Sequence, residues 1–285
     1  MTLVLRRGAP SDAEACASIC QTAFATISAR HNFPPDFPSV EPARQLMDFM
    51  LSREDVFSVV AELEGRVVGS NFLWETGPVA GVGPITVDPG VQNRSVGRKL
   101  MEEVLKRGRE RRISSIRLLQ AGYHARSLSL YTKLGFDVRE PLVTMQGPPI
   151  AAGVAGCTVR PATSEDVPAC NRVHFKVHGF ERERDLLDAV EQGTARVAER
   201  GGRLTGFATA IGFFGHAVGE SNDDLKALIA AAPEFAGPGF HLPMRNGELF
   251  RWCLDRGLKV VQPMTLMSLG LYSEPSGAFL PSILY

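Results

Sequence analysis

Gln92-Asn93-Arg94-Ser95-Val96-Gly97-Arg98 joins an apolar run, Gly83-Pro84-Ile85-Thr86-Val87, to a stretch with Val96, Leu100, Met101, Val104 and Leu105 at helical spacing. The pattern predicts a strand, a turn at Asp88-Pro89-Gly90 and an amphipathic helix. A helix that starts among small, polar and basic residues offers unpaired backbone N–H donors and the positive end of its dipole. Both suit a phosphate group. Gly97 has no Cβ, so backbone and anion can approach closely. Arg94 and Arg98 add cationic charge. The same residues would also serve an ordinary strand-turn-helix unit with a solvated basic face, and the loop alone does not separate the two.

A second chemical candidate lies downstream. His124-Ala-Arg-Ser-Leu-Ser-Leu-Tyr131-Thr-Lys-Leu-Gly135-Phe136 places a phenol on a predicted helix that ends in glycine. A phenol with pKa near ~10 is matched to protonating a thiolate. Its alternative is an aromatic core position beside Leu130, Leu134 and Phe136.

Together the two segments resemble a known family. Gln92 to Gly97 resembles the pyrophosphate loop of the GNAT N-acetyltransferases, Q/R-x-x-G-x-G/A, with Ser95 standing where the family has glycine. His124 to Phe136 resembles the family's N-x-x-A-x-x-L-Y-x-x-x-G-F helix. The likeness covers residues 3 to 145. It implies a mixed, mostly antiparallel sheet flanked by helices and splayed between its fourth and fifth strands, the fourth ending at Thr86-Val87 and the fifth spanning 115–120. It implies acetyl-CoA in that gap, with Ile85, Thr86 and Val87 holding the acetyl and pantetheine groups. Gln92, Asn93, Arg94, Ser95, Val96 and Gly97 would hold the pyrophosphate, with Arg98 beside them. Tyr131 would be the general acid for attack by a primary amine of a small molecule. The general base carries no motif; Glu75 and His124 are candidates. A non-catalytic acyl-CoA-binding or sensing protein is the competing reading.

The elements that must position these residues occur twice. Arg6, Asp12, Ala15 and Cys16 recur as Arg160, Asp166, Ala169 and Cys170. The hairpin Ala61 to Gly69 recurs as Ala198 to Gly206, and Gly135, Val138, Pro141 and Met145 recur as Gly257, Val260, Pro263 and Met267. Three blocks in one order predict two tandem α/β (α+β) copies of one fold, residues 1–146 and 157–285, joined by a Pro- and Gly-rich linker at 147–156. The second copy is degenerate at the loop. Glu220, Asp223 and Asp224 replace the basic residues ahead of a helix at 225–232, with Asn222 or Asp223 as its cap. Acids at a helix N-terminus repel a pyrophosphate. Cys253 takes the place of Tyr131. The second copy is therefore expected to shape the acceptor side and to hold no acetyl-CoA.

Composition narrows the partners. The 285 residues carry 31 basic and 31 acidic side chains, so no broad attraction to nucleic acid or an anionic membrane is expected. No apolar run approaches a membrane span, and the first residues do not have the order of a secretory signal. The five cysteines form no zinc pattern, and they read as reduced core thiols of a cytoplasmic monomer or homodimer. His174 and His178 share a helix face, but the sequence offers no third metal ligand, so no metal is expected and the pair reads as solvated or partner-facing. Residues 29–42, rich in proline and aromatic side chains, could border the acceptor pocket. The run 211–218 reads as a core strand or as a wall facing the first copy. The apolar segment 278–285 is expected to dock.

Overall fold

The computed structural model describes residues 2–92, 94–150 and 152–285. The chain up to Gln146 forms β1 (Leu3–Arg7), α1 (Ala13–Arg30), α2 (Val40–Ser52), β2 (Val56–Leu63), β3 (Arg66–Trp74), β4 (Val79–Val82), β5 (Thr86–Val87), α3 (Val96–Glu110), β6 (Ser115–Ala121), α4 (Ala125–Lys133) and β7 (Asp137–Gln146). Farther along come β8 (Thr158–Pro161), α5 (Val167–His178), α6 (Glu183–Glu191), β9 (Arg196–Arg200), β10 (Arg203–Ala208), β11 (Ala217–Gly219), α7 (Asn222–Ala230), β12 (Phe240–Pro243), α8 (Gly247–Asp255), β13 (Lys259–Gly270) and β14 (Ala278–Leu280).

The second series repeats the order of the first. β8, α5, α6, β9, β10, β11, α7, β12, α8 and β13 follow one another as do β1, α1, α2, β2, β3, β5, α3, β6, α4 and β7. The repeated arginines do the same local work. Arg6 makes a two-toothed ion pair with Asp12 and reaches Glu62, while Arg160 pairs with Asp166 and Glu199. Each pair ties a first strand to the turn that starts its helix and to the neighbouring strand.

The two halves exchange their last strands. One sheet runs β1-β2-β3-β4-β6-β13-β7-β12, with β5 added on β3. Thus β13, from the second half, inserts between β6 and β7 of the first. Met264 lies opposite Ala121 on one side and Leu142 on the other. β7 in turn carries β12, with Phe240 opposite Met145. A five-stranded sheet, β14-β11-β10-β9-β8, completes the second half. The exchange makes a continuous seam of backbone hydrogen bonds, and Leu142, Met145, Leu266 and Met267 are buried along it. Each such side chain contributes roughly 1.5–3 kcal/mol on leaving water.

β4 and β6 are parallel neighbours only from Val79 to Gly81 and from Ser115 to Arg117. Past these residues the strands part. β5 pairs with β3 through Gly69 opposite Val87, and among the described residues no strand covers its other edge. α3 packs Val96, Leu100, Met101, Val104 and Leu105 into the core beneath this opening, the stripe that the sequence predicts.

The second half departs from expectation at its own loop. α7 begins at Asn222, and its N-cap is Ser221, not Asn222 or Asp223. Asp224, buried, accepts from both the Ser221 backbone N–H and its hydroxyl, a reciprocal capping box. It also accepts from Thr205 at 2.6 Å.

Candidate active site

A cavity of about 310 Å³ fills the gap between the parted strands. One wall is the segment Val82 to Val87, the other Leu118 to Ala121. Gln92, Ser95, Val96, Gly97 and Arg98 close one end, and Tyr131 with His124 and Ser127 closes a side. The structure thus brings Ile85, Thr86, Val87, Gln92, Ser95, Val96, Gly97, Arg98 and Tyr131 to one hollow. Arg94 lies exposed on the bend before Ser95, outside the wall. Asn93 lies outside the described residues.

The end formed by α3 has the features of an anion site. The helix has no acidic residue in its first turn, and the Ser95 side chain makes no capping bond. Its first N–H groups have no partner within the helix. A Cβ built on Gly97 would meet only Val87 and Leu130 side-chain carbons, at 3.7 and 3.9 Å. Packing therefore leaves room for alanine here, and the small residue keeps the cavity side open. Ser95 sits in the left-handed region at φ 61°, the conformation that favours glycine. This is the physical content of the family's glycine at that place. The Gln92 side chain is held by Arg126 Nη1 at 2.9 Å, which ties the loop to α4.

Tyr131 is buried against Phe136, with ring centroids 6.1 Å apart. Burial pushes its phenol up to about 12, and contact with the Ser127 hydroxyl acts the other way. The phenol therefore keeps its proton at neutral pH. Ser127 Oγ lies 2.6 Å from His124 Nδ1, and burial lowers the His124 imidazole from its usual value. Tyr131, Ser127 and His124 form a short polar row along the cavity wall. Glu75 does not join it. Its carboxylate is taken by Arg107 at 2.6 and 2.9 Å, away from the cavity lining.

The opposite end contains residues that carry no motif. Asp36, Phe37 and Ser28 reach it from the 29–42 loop and the end of α1. Tyr123 stacks on Phe33 with ring centroids 4.2 Å apart and lies tilted against His31 at 5.2 Å. Its hydroxyl donates to Gln262 Oε1 at 3.2 Å, and Gln262 Nε2 donates to Asp36 Oδ1 at 3.0 Å. Burial raises the Asp36 carboxyl above its usual range. Gln120 is buried in the wall with neither its amide oxygen nor its nitrogen paired. An unpaired buried amide is costly unless something else fills its valences. The second half supplies Phe213, Phe214, Met264, Ile283 and Leu284 to the same end. Of the 211–218 run only Ala217 and Val218 lie in a strand, β11, so the core-strand expectation holds for its end alone, while Phe213 and Phe214 form wall; the 278–285 segment docks. The sequence flags the 29–42 loop but does not single out Asp36. Gln120 and Gln262 have no local signal at all.

Residues 25–136 match the sequence profile of the Acetyltransferase (GNAT) family. This segment is similar to the GNAT acetyltransferases, a family of acyl-transfer enzymes. Two solved structures resemble nearly the whole chain in fold. A candidate acetyltransferase from Pyrococcus horikoshii aligns over 99% of this chain and 92% of its own, at 20% identity and a TM-score of 0.75. A GCN5-related N-acetyltransferase from Sphaerobacter thermophilus aligns over 95% and 96%, at 16% identity and a TM-score of 0.62. Among curated proteins none matches the chain significantly. No helix among the described residues is long and apolar enough to cross a membrane.

Proposed function

We propose that the chain moves the acetyl group of acetyl-CoA to a primary amine of a small molecule, in one site carried by residues 1–146 and closed on the acceptor side by residues 157–285. The observation that supports this most is the coincidence, on one cavity, of an uncovered β5 edge, an acid-free helix N-terminus and a protonated tyrosine. The pantetheine amides extend along Ile85 to Val87, and the pyrophosphate meets the N–H groups at 95–98 together with Arg98. The thioester supplies an activated acyl carbon. The neutral amine nitrogen attacks it to form a carbon–nitrogen bond, the carbon–sulfur bond breaks, Tyr131 gives its proton to the departing sulfur, and the proton released by the acylated nitrogen restores the phenol. The phenol holds this proton at neutral pH, before transfer.

Asp36 and Gln120 are the polar groups on the acceptor side. We assign Asp36 to receiving the substrate's ammonium group and its proton, and Gln120 to a polar substituent beside the amine. The cavity is narrow and walled by Phe24, Phe37, Phe213 and Phe214, which favours a small amine over a folded protein surface. In the second half the edge that matches β5 is covered by β14, with Gly219 opposite Ala278, and Cys253 replaces the phenol. Both features support a second half without acetyl-CoA.

Calorimetric titration of acetyl-CoA into the intact chain and into Gly97→Glu tests the reading. We expect a single site per chain, weakened in the variant by on the order of 100-fold, since a carboxylate replaces a favourable helix-end contact. Two sites, or binding indifferent to the substitution, would refute it.

A further inference from the structure

We propose that His174, His178 and His216 form a binding site for one divalent transition-metal ion of the zinc class, a site separate from the acyl-transfer cleft. The three imidazoles come from α5 and from the segment before β11. All are buried, so the solvated or partner-facing reading of the α5 pair does not hold. One candidate ligand atom from each lies within 4.8 Å of the others. Their ring centroids are 4.6, 5.2 and 5.5 Å apart. Three imidazoles so placed need only small side-chain rotations to converge on one ion with metal–nitrogen distances of ~2.0–2.1 Å.

Hydrogen bonding prepares the set for a metal. His174 Nδ1 lies 2.6 Å from the Phe180 carbonyl, to which it donates. That bond places its proton on Nδ1 and leaves a lone pair on Nε2, the arrangement that outer-shell carbonyls impose on metal-binding histidines. His174 Nε2 and both ring nitrogens of His178 and of His216 have no partner. Five unpaired ring nitrogens on three neighbouring buried imidazoles call for an occupant. Phe180, Phe207 and Phe279 ring the cluster, with Phe279 edge-on to His178 at 5.1 Å. Such an apolar jacket keeps water off and strengthens coordination.

Charge decides the fourth ligand. Arg117 and Arg182 both act on these histidines and stack on Tyr285, at 4.4 and 5.5 Å. The Tyr285 ring is 6.3 Å from His216. Two guanidinium groups beside a dication favour an anionic fourth ligand such as hydroxide or chloride. No motif marks the site. His174 and His178 occupy the α5 positions that match Cys20 and Phe24 on α1, because Cys16 matches Cys170. An ion there would fix the 213–216 segment and, through it, the Phe213–Phe214 wall of the cleft.

The test uses the full chain, produced with zinc in the medium and then exchanged with Co²⁺. We expect one zinc per chain by elemental analysis, and a cobalt form with the visible absorption of a four-coordinate site and three imidazole nitrogens by X-ray absorption. His178→Gln and His216→Gln, checked for native circular dichroism, should each lose the ion. Should either variant misfold, the nitrogen count on the unaltered protein still decides the matter. Metal-free protein that takes up neither ion, uptake unchanged in the folded variants, or a coordination shell without three imidazoles would each overturn the proposal.

Discussion

The N-terminus of α3 and the N-terminus of α7 follow equivalent strands and meet opposite fates. α3 starts at Ser95 in a left-handed conformation, without a capping side chain and without an acid in its first turn. α7 starts at Ser221 in a closed capping box, with Asp223 and the buried Asp224 in its first turn. One helix end lacks a bond from its N-cap side chain, while the other is closed by a capping box. The flanking strands differ in the same sense. The edge of β5 opens on the cavity, whereas β11 is covered by β14. The 278–285 segment then continues across β4, so close to Gly81 that no Cβ would fit beside Leu284. The segment that fills the slot in one half thus walls the cleft in the other. One fold, used twice, gives an open half and a filled half according to whether the slot between its strands is occupied from within the chain.

The largest expected effect concerns the residue that one half has and the other lacks. Tyr131→Phe should lower kcat by about 100-fold or more, the range of a lost general acid, with little change in acetyl-CoA affinity. Unchanged kcat would place Tyr131 among core aromatics such as Phe136 and leave the cleft without an identified acid.

Next comes the cost of the filled slot in acid. His241, on β12, is buried beneath the 278–285 segment with Nδ1 3.2 Å from the Pro281 carbonyl, and burial pulls it down to about 4. The unfolded chain takes up this proton below about 6.5, while the folded chain refuses it until about 4. The unfolded state therefore binds more protons within this window, and stability falls as pH falls through it. From pH 6.5 to 4.5 the loss should be roughly 2–3 kcal/mol. Urea unfolding of the natural protein and of His241→Gln at both pH values would show the gap between them narrowing in acid. A constant gap would mean that the slot does not exclude the charged imidazole.

Asp224→Ala should destabilise the second half by about 2 kcal/mol, through loss of the cap and of the Thr205 bond. It should not create a second acetyl-CoA site, because β14 still covers the edge. Thermal unfolding and calorimetry on one sample separate the two effects. A second binding event would make the acid, rather than the strand, the reason for silence. The smallest effect is at Ser95. Ser95→Gly relieves a left-handed serine and should raise stability by about 1 kcal/mol or less, with acetyl-CoA binding kept or tightened. Weaker binding would assign the Ser95 hydroxyl a direct contact with phosphate.

Much of the first half's site was legible because its signals are local. Gln92 to Gly97 and the α3 stripe lie within a few turns of chain, and helix periodicity and turn chemistry act at that range. Tyr131 was legible for the same reason, as a fixed offset from Gly135-Phe136. The α7 cap was misread by one residue, because Ser221, Asn222 and Asp223 are all good caps and only the reach of Asp224 back to Ser221 selects among them. Asp36, Gln120 and Gln262 escaped notice because each is unremarkable in its own segment. They matter only where the 29–42 loop, β6 and β13 converge.

The sequence by itself determined the two repeats, the strand-turn-helix that opens on the cleft, the tyrosine helix and the acids that close the second copy. All rest on interactions between residues a few positions apart. Tertiary structure decided the exchange of β7 and β13 between the halves, the burial of 278–285 beside β11, and the meeting of His216 with His174 and His178. Those outcomes depend on which strand edge or apolar face wins a distant partner. That competition is settled by burial and backbone hydrogen bonding across the whole molecule, and it leaves no periodic trace in the segments concerned.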